Sequence, residues 1–227
     1  MVITVSALVF ADRAQAGGLL AAELERRGDL VAGAVVLGIP RGGVAVAAEL
    51  ARGRDVTLDV ALARKVGAPG NPELALGAVG PDGGATIDED VAARLVPDPA
   101  WLREAVARTR REVEDRVGRF RGGRPPIDVW GRRVIVVDDG LATGSTARAV
   151  GQWLQGAGTE RSVLAVPVGP PTTVERLRDT YDDVVALVTP EPFYAVGEFY
   201  RDFHQVTDQE VVDLLSAASP GPRSPGE

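Results

Sequence analysis

The feature that most constrains the fold is an unbroken β-branched run at 134–137 (Val-Ile-Val-Val), which Asp138 and Asp139 follow directly. A run of this kind is typical of a strand that is buried on both faces of a parallel sheet. Glycines and hydroxyl side chains come next at 140–146, and residues 147–154 predict a helix. Ligands of open α/β sheets bind outside the carboxyl ends of the strands, so we expect a binding site here.

The residues of this turn indicate the kind of ligand. A glycine-rich turn that opens a helix offers free backbone N–H groups and the positive end of the helix dipole to a phosphate. Thr143, Ser145 and Thr146 can add hydroxyl donors. Asp138 and Asp139 would repel that phosphate, but they suit sugar hydroxyls or a hydrated Mg²⁺. The combination predicts one ligand that carries both a phosphate and a diol, such as a ribose phosphate.

The stretch 134–146, VIVVDDGLATGST, resembles the signature of the type I phosphoribosyltransferases, which bind phosphoribosyl pyrophosphate (PRPP). The resemblance implies that Asp138 and Asp139 bind the ribose hydroxyls and hold Mg²⁺, through water. It also implies a loop around the 5′-phosphate that consists of Ala142, Thr143, Gly144, Ser145 and Thr146. The alternative is an ordinary strand–turn–helix whose Asp pair caps the helix. A Walker P-loop is excluded because no lysine follows Gly144.

A second turn of this type follows the strand predicted at 34–39. It reads Pro40-Arg41-Gly42-Gly43 and precedes a helix predicted at 44–51. The glycines permit backbone geometry closed to other residues, and Arg41 supplies a planar donor fork. In the resembled family this is the pyrophosphate loop, where a non-proline cis peptide is usual. Taken alone, this motif is more typical of a plain turn. Its presence together with the motif at 134–146 favours a phosphate-binding site.

The next predicted strand, 58–63, is followed by the basic pair Arg64 and Lys65 and by a glycine- and proline-rich stretch to residue 73. We expect 64–73 to be irregular. In position it corresponds to the flexible catalytic loop of the resembled family, which implies that Arg64 and Lys65 bind the pyrophosphate. The alternative is a solvated basic turn.

The rest of the chain predicts strands alternating with helices. Asp12 can cap a helix that ends near Arg27, and we interpret Asp12 and Arg13 as packing residues. The remaining predictions are an antiparallel pair at 74–79 and 84–87, helices at 88–95, 99–119 and 172–180, and strands at 162–168 and 184–188. The charged face of the helix at 99–119, which Asp98 caps, is typical of a solvated surface.

This alternation predicts an α/β fold: a doubly wound, mostly parallel central sheet flanked by helices, with a small hood or base-binding region. We expect one domain over residues 1–218, with hood elements near 189–206 and in the N-terminal region. The tail at 219–227 has a disordered composition.

The segment 189–203 concentrates aromatic residues in a chain that is only 5% aromatic. Its order resembles the purine-pocket segment of hypoxanthine-guanine phosphoribosyltransferases. By position, Phe193 would stack on the base and the backbone of Val196 would read the base edge. Spacing around the Val-Gly pair differs from that family, and aromatic packing onto the core is an equal alternative.

Composition excludes several classes of protein. The chain has no cysteine and one histidine, His204, so cysteine-based metal sites and thiolate nucleophiles are ruled out and a Ser-His-Asp triad is improbable. A net charge of −7 argues against nucleic-acid and membrane binding. The apolar N-terminus lacks the basic start of a signal peptide, and no apolar run is long enough to span a bilayer. We expect a cytoplasmic homodimer.

The resemblance implies a Mg²⁺-dependent enzyme that transfers a phosphoribosyl group from PRPP to a nucleobase-like acceptor and releases pyrophosphate. Asp138, Asp139, Arg41 and Lys65 would be its catalytic residues. Ala142 departs from the pattern of purine enzymes, which commonly place an Asp there, so the acceptor stays unassigned. A PRPP- or nucleotide-sensing regulator without turnover is the first alternative. A hydrolase or phosphatase is the second, and it lacks a recognisable water-activating group.

Overall fold

The structure, a computed structural model, describes residues 9–96 and 98–218, so the predicted tail at 219–227 lies outside the described residues. The strands in this part of the chain are β1 (Val35–Gly38), β2 (Thr57–Val60), β3 (Arg64–Ala68), β4 (Asn71–Val79), β5 (Ala85–Ile87), β6 (Arg133–Val137), β7 (Arg161–Val168) and β8 (Asp183–Val188). Its α-helices are α1 (Arg13–Arg27), α2 (Gly42–Ala51), α3 (Glu89–Leu95), α4 (Pro99–Arg121), α5 (Ser145–Gly156), α6 (Pro171–Leu177) and α7 (Asp208–Ala217). A 3₁₀ turn covers Val196–Phe199.

Five strands form a parallel central sheet in the order β2-β1-β6-β7-β8. The chain runs outward from β1 to β2 and later returns to the other side of β1 with β6. The strand order therefore reverses between β1 and β6, where open α/β sheets bind their ligands. In the register of this pair Gly38 lies opposite Val137, so both predicted turns leave the sheet at the same edge.

Both faces of the sheet are covered, which explains why its strands are mainly apolar. Val36 and Ile135 pack with residues of α1, α2, α4 and α7, whereas Val35 and Val134 pack on the opposite face with α5 and α6. Adjacent residues of a strand point to opposite faces, so a strand buried on both sides needs a continuous apolar run. The predicted fold class, a doubly wound and mostly parallel sheet, is confirmed.

The prediction of an irregular loop at 64–73 is wrong. Arg64–Ala68 is strand β3, and it pairs antiparallel with β4, which begins at Asn71; β5 completes a small three-stranded sheet. The register shifts on either side of Gly67, where a side chain would lie 2.7 Å from the backbone of Pro72. Glycine permits this close approach, and the irregularity accommodates the proline. Pairing with β4 therefore overrides a composition that is typical of loops.

Most other predicted elements are present with small shifts at their ends. The side chain of Asp12 accepts a hydrogen bond from the Gln15 amide at 2.8 Å and caps α1, and Asp98 caps α4 in the same way. Helix α4 continues to Arg121, whose guanidinium forms a buried ion pair with Asp59 of β2 at 2.6 Å. This pair fixes the carboxyl end of α4 to the edge strand of the sheet.

The N-terminal segment joins the C-terminal aromatic segment beside the sheet. Phe10 donates its amide to the carbonyl of Phe199 at 2.8 Å and accepts from the amide of Arg201 at 2.9 Å. Asp202 donates to the carbonyl of Ala11 at 2.9 Å. We call residues 9–11 and 193–204 together the hood. Among the described helices none combines the length and the apolar character needed to cross a bilayer.

Candidate active site

Asp138 and Asp139 stand directly after β6 at the point where the strand order reverses. Both are half-buried, and one carboxylate oxygen of Asp138 accepts the amide of Asp139 at 2.9 Å. Burial raises the pKa of the Asp138 carboxyl well above its usual range, and the neighbouring charge of Asp139 adds to that effect. A like charge this close disfavours the ionised form of a buried carboxyl.

This raised pKa predicts that Asp138→Asn stabilises the free protein at alkaline pH. Folding takes up a proton between pH 3.8, the ordinary pKa of the carboxyl, and its raised folded value, so wild-type stability falls as pH rises through that window. The Asn variant keeps the oxygen that accepts the Asp139 amide but does not titrate. Its stability relative to the wild type should therefore increase from pH 4 to pH 8, as measured by urea unfolding at the two pH values.

Equal changes in unfolding free energy at both pH values would contradict the prediction. Asp115→Asn, on the exposed surface of α4, is the matched control, and its effect should be small and independent of pH.

The second turn packs directly against Asp138 and Asp139, which we call the acid pair. The peptide bond between Pro40 and Arg41 is cis, as the resemblance implies. Gly42 and Gly43 open α2, and a side-chain carbon at Gly42 would overlap the carboxylate of Asp139. One at Gly43 would lie 2.8 Å from the backbone of Asp138. Glycine is thus required at both positions because the turn and the carboxylates share the same space.

The predicted phosphate loop forms the connection from β6 to α5. Its residues Ala142, Thr143, Ser145 and Thr146 are exposed, and Gly144 adopts a left-handed conformation with φ 71° at the N-cap of α5. Gly144 has no side chain to cap this helix, and the Ser145 amide donates to the hydroxyl of Thr143 at 3.4 Å. The other N–H groups of the first turn have no partner within the helix. The hydroxyl of Thr143 approaches that of Ser145 at 3.3 Å. The loop has the features of an anion-binding helix N-terminus.

Arg13, which the sequence suggests only as a packing residue, binds the acid pair. Its Nε and Nη2 atoms each lie 2.8 Å from Oδ2 of Asp139, 126 residues away in the chain. The ion pair is mostly buried, with side-chain exposures of 9% for Arg13 and 16% for Asp139. Nη1 donates to the carbonyl of His204 at 2.9 Å, and the guanidinium lies 4.0 Å from the ring centre of Phe203. Arg13 therefore connects the acid pair to the hood.

The hood also contacts the turn after β6 through Val196 and Tyr200. A side-chain carbon at Gly140 would meet the side chain of Val196 at 2.5 Å, so these residues are in contact across the turn. The phenol of Tyr200 donates to the carbonyl of Asp139 at 2.6 Å. Burial raises the pKa of this phenol, with the charge of Asp139 adding to the effect, so it keeps its proton. The backbone of the acid pair is thus fixed from the hood side.

The two aromatic residues at the start of the hood have different surroundings. Phe193 is partly buried and stacks on Phe199, with ring centres 5.5 Å apart and planes inclined by 12°. Tyr194 is 77% exposed. One face of the Phe193 ring is thus partly covered by Phe199. Tyr194, to which the sequence pattern assigns no role, is the more accessible ring.

The predicted pyrophosphate-binding residues fall into two groups. Arg41, Gly42 and Gly43 adjoin the acid pair, and Arg41 forms a loose ion pair with Asp208 at 3.5 Å. Arg64 and Lys65 lie on β3 instead, where Arg64 pairs with Glu112 of α4 at 2.8 Å. They line a cavity together with α4 and the first turn of α5.

Asp138 and Asp139 fit a Mg²⁺ site in which the protein supplies two carboxylates and other groups complete the coordination. No group of three or more His, Cys, Asp or Glu side chains within 9–96 and 98–218 is arranged to hold a metal by itself. Mg²⁺ is commonly bound by one or two carboxylates completed by water and substrate phosphates. Asp138 and Asp139 supply the carboxylates, with Arg13 already bound to one oxygen of Asp139. The donor set therefore suits a metal that arrives with a phosphorylated substrate.

Comparison with known proteins gives the family. Residues 14–204 match the family described as the phosphoribosyl transferase domain. The chain is 44% identical over 210 residues to a provisionally named phosphoribosyl transferase of Mycobacterium tuberculosis, Rv0571c. That alignment covers 92% of this chain and 47% of the relative, so the chain spans about half the length of the curated relatives it matches.

The chain is also similar to solved structures. The crystal structure of TT1426 from Thermus thermophilus is 45% identical, with a TM-score of 0.83 over 93% of this chain and 100% of that chain. A hypoxanthine-guanine phosphoribosyltransferase of Bacillus anthracis is more distant, at 16% identity and a TM-score of 0.42 over 84% of this chain and 87% of that one. By its sequence match over residues 14–204, the chain belongs to the phosphoribosyl transferase domain family.

Proposed function

We propose that the protein is a Mg²⁺-dependent phosphoribosyltransferase that moves the phosphoribosyl group of PRPP to a nucleobase-like acceptor and releases pyrophosphate. The observation that carries the proposal is the meeting of two turns at the strand reversal. Asp138 and Asp139 follow β6, the glycine turn at 40–43 follows β1, and this turn contacts both carboxylate residues. An acidic pair beside two anion-binding turns matches a ligand with a diol between two phosphate groups.

Each part of PRPP then has residues assigned to it. Asp138 and Asp139 accept the ribose hydroxyls, and the loop 142–146 holds the 5′-phosphate through the N-terminus of α5. Arg41, Gly42 and Gly43 bind the pyrophosphate, with Arg64 and Lys65 approaching it from the β3 side. The base-binding residues are Phe193 and Val196, to which the accessible ring of Tyr194 is added.

Catalysis on this arrangement depends mainly on positioning and charge. Displacement at C1 of the ribose passes through a cationic, oxocarbenium-like transition state, and Asp138 and Asp139 place negative charge next to it. When bound, Mg²⁺ would neutralise the leaving pyrophosphate. Arg41 and Lys65 would hold that leaving group. The hood would limit access of water to the reacting carbon, because water would hydrolyse the cation.

The acceptor is restricted by Ala142. In the resembled purine enzymes an Asp at this position stands near the reacting nitrogen of the base as a proton acceptor. The methyl group here supplies no base, and general-base catalysis typically contributes about 10²–10⁴-fold. We infer an acceptor whose nitrogen is already deprotonated or weakly basic rather than a standard 6-oxopurine.

The proposal further includes a cytoplasmic homodimer that binds neither nucleic acid nor membranes, consistent with the net charge of −7.

Incubation with PRPP and Mg²⁺ across a panel of purine, pyrimidine and pyridine bases, with pyrophosphate release as the readout, tests the proposal. Release that depends on one class of base and on Mg²⁺ is the expected result. PRPP binding by calorimetry without turnover on any base would support the sensing alternative instead. Absence of PRPP binding would overturn both.

A further inference from the structure

Arg41, in the glycine turn at 40–43, has an anionic partner on α7. Its Nη1 atom lies 3.5 Å from Oδ1 of Asp208, the first residue of that helix. An N–H···O hydrogen bond normally spans about 2.7–3.2 Å, so charge rather than directional hydrogen bonding holds this pair. The two side chains are 38% and 59% exposed, so dissolved anions can reach both of them. A pair of this kind can exchange its carboxylate for another anion.

The ion pair between Arg13 and Asp139 shows the contrast. There two nitrogens lie 2.8 Å from the carboxylate, and the side chains are only 9% and 16% exposed. Short contacts from two nitrogens of one guanidinium orient both partners. Arg41 is held far more weakly, so it is available to a stronger anion at the cost of its contact with Asp208.

Asp208 stands on a fixed support. The hydroxyl of Thr207 accepts the amide of Glu210 at 3.2 Å, and the carboxylate of Glu210 accepts the amide of Thr207 at 2.7 Å, which closes the first turn of α7. Val211, in the next turn, is fully buried in the same core as α2, the helix that follows Arg41. The carboxylate of Asp208 therefore stays near Arg41 when the guanidinium turns to another anion.

The other acidic side chains at this end of α7 have different contacts. Glu210 belongs to the cap and lies 3.5 Å from the ring of His204, and Asp202 lies 3.2 Å from the same ring. In the part of the chain that the structure describes, Asp208 is the carboxylate that forms an ion pair with Arg41. Asp208 and Glu210 also offset the positive end of the α7 dipole, which would otherwise favour an anion.

Pyrophosphate and Asp208 would compete for one guanidinium. Pyrophosphate carries several negative charges at neutral pH and offers paired oxygens to the planar fork of Arg41, so it can displace a loosely held carboxylate. Once displaced, that carboxylate is a like charge close to the bound anion and repels it. Both effects oppose the binding of pyrophosphate at the turn.

We propose that Asp208 opposes pyrophosphate binding by competing for Arg41, and that it thereby promotes release of the leaving group. The inference rests on the proposed function, because that function assigns pyrophosphate to the turn at 40–43. It adds a residue outside the PRPP contacts that sets how tightly the leaving group is held. The opposite role, in which Asp208 orients Arg41 for pyrophosphate, requires a loss of affinity when the carboxylate is removed.

Calorimetric titration with pyrophosphate in the presence of Mg²⁺ tests the inference on the full chain and on its Asp208→Asn variant. We expect the variant to bind pyrophosphate about three- to tenfold more tightly, because Arg41 is released and a repelling charge is removed. Asp213→Asn is the matched control, since Asp213 is exposed on the same helix and accepts the side chain of Gln209 at 2.9 Å. Its affinity for pyrophosphate should equal that of the wild type.

Two further measurements connect the gain in affinity to Arg41. Arg41→Gln removes the charge for which the two anions compete, so adding Asp208→Asn in that background should increase affinity clearly less than it does in the wild type. Salt is the second measurement. The gain from Asp208→Asn should shrink between about 0.05 and 0.5 M salt, because screening weakens interactions between exposed charges.

An Asp208→Asn affinity equal to or weaker than that of the wild type would overturn the inference. An equal gain from Asp213→Asn would also overturn it, since that gain would be an effect of net charge, as would a gain that Arg41→Gln leaves undiminished. Any of these results in a protein that binds PRPP refutes only the role of Asp208. A wild type that binds neither PRPP nor pyrophosphate refutes the proposed function as well.

Discussion

Replacement of Asp138 and Asp139 together by Asn is expected to weaken PRPP binding by about a hundredfold or more. Each carboxylate would lose a charge-assisted hydrogen bond to a ribose hydroxyl, and such bonds contribute about 1.5–3 kcal/mol each. Two of them correspond to roughly 3–6 kcal/mol, and every 1.4 kcal/mol is about tenfold in affinity. Calorimetric titration with PRPP in the presence of Mg²⁺ measures the change.

The chain contains its own matched control for this experiment. Asp182 and Asp183 form another adjacent acidic pair, at the amino end of β8 and therefore at the opposite edge of the sheet. The same two substitutions there remove equal charge, and some stability is lost because Asp183 bridges Arg27 and Arg178. PRPP affinity of the folded control should match that of the wild type. Equal affinities in both double variants would remove the basis for the ribose assignment.

Arg13→Met is expected to destabilise the protein by about 3 kcal/mol, because breaking a mostly buried ion pair leaves one charge without its partner. Asp139 would remain half-buried, and the carbonyl of His204 would lose its donor. Urea unfolding at neutral pH measures the loss. PRPP affinity of the folded variant should also fall, since Arg13 orients Asp139 in addition to balancing its charge.

Two further variants separate these contributions. Arg26→Met removes an exposed arginine of the same helix that pairs with Glu23 at 2.7 Å, and exposed pairs of this kind contribute little to stability. Arg13→Lys retains a charge but has no second nitrogen in the planar geometry of a guanidinium. We expect Arg13→Lys to recover part of the stability and less of the PRPP affinity. A loss for Arg13→Met no larger than that for Arg26→Met would contradict the positioning role.

The parts that the sequence predicts correctly depend on neighbours in the chain. The run at 134–137 marks a strand buried on both faces, and Asp12 and Asp98 cap their helices through residues two or three positions away. Such patterns are local, because the apolar run of a buried strand and the cap of a helix each lie within a few consecutive residues. The glycine-rich turns after β1 and β6 could be recognised as turns for the same reason.

Two features could not be read from local pattern. The basic stretch after β2 has the glycines and prolines of a loop, yet Arg64–Ala68 pairs with β4 as a strand. Contacts with a partner strand decide the conformation of such a segment more than its own propensity does. Likewise, the sequence around Arg13 does not indicate that its partner is Asp139. The two residues come into contact only when α1 and the hood pack beside β6.

By itself, the sequence determines that a buried strand, two carboxylates and a glycine turn follow one another at the end of β6, because they are consecutive residues, and it predicts the ligand chemistry there. Tertiary structure alone decides that the turn at 40–43 contacts those carboxylates, that Arg13 balances one of them, and that α4 faces the phosphate loop across a cavity. The physical reason is chain distance. Each of these arrangements joins segments far apart in sequence, and their contacts exist only after the parallel sheet has formed and the helices have packed on it.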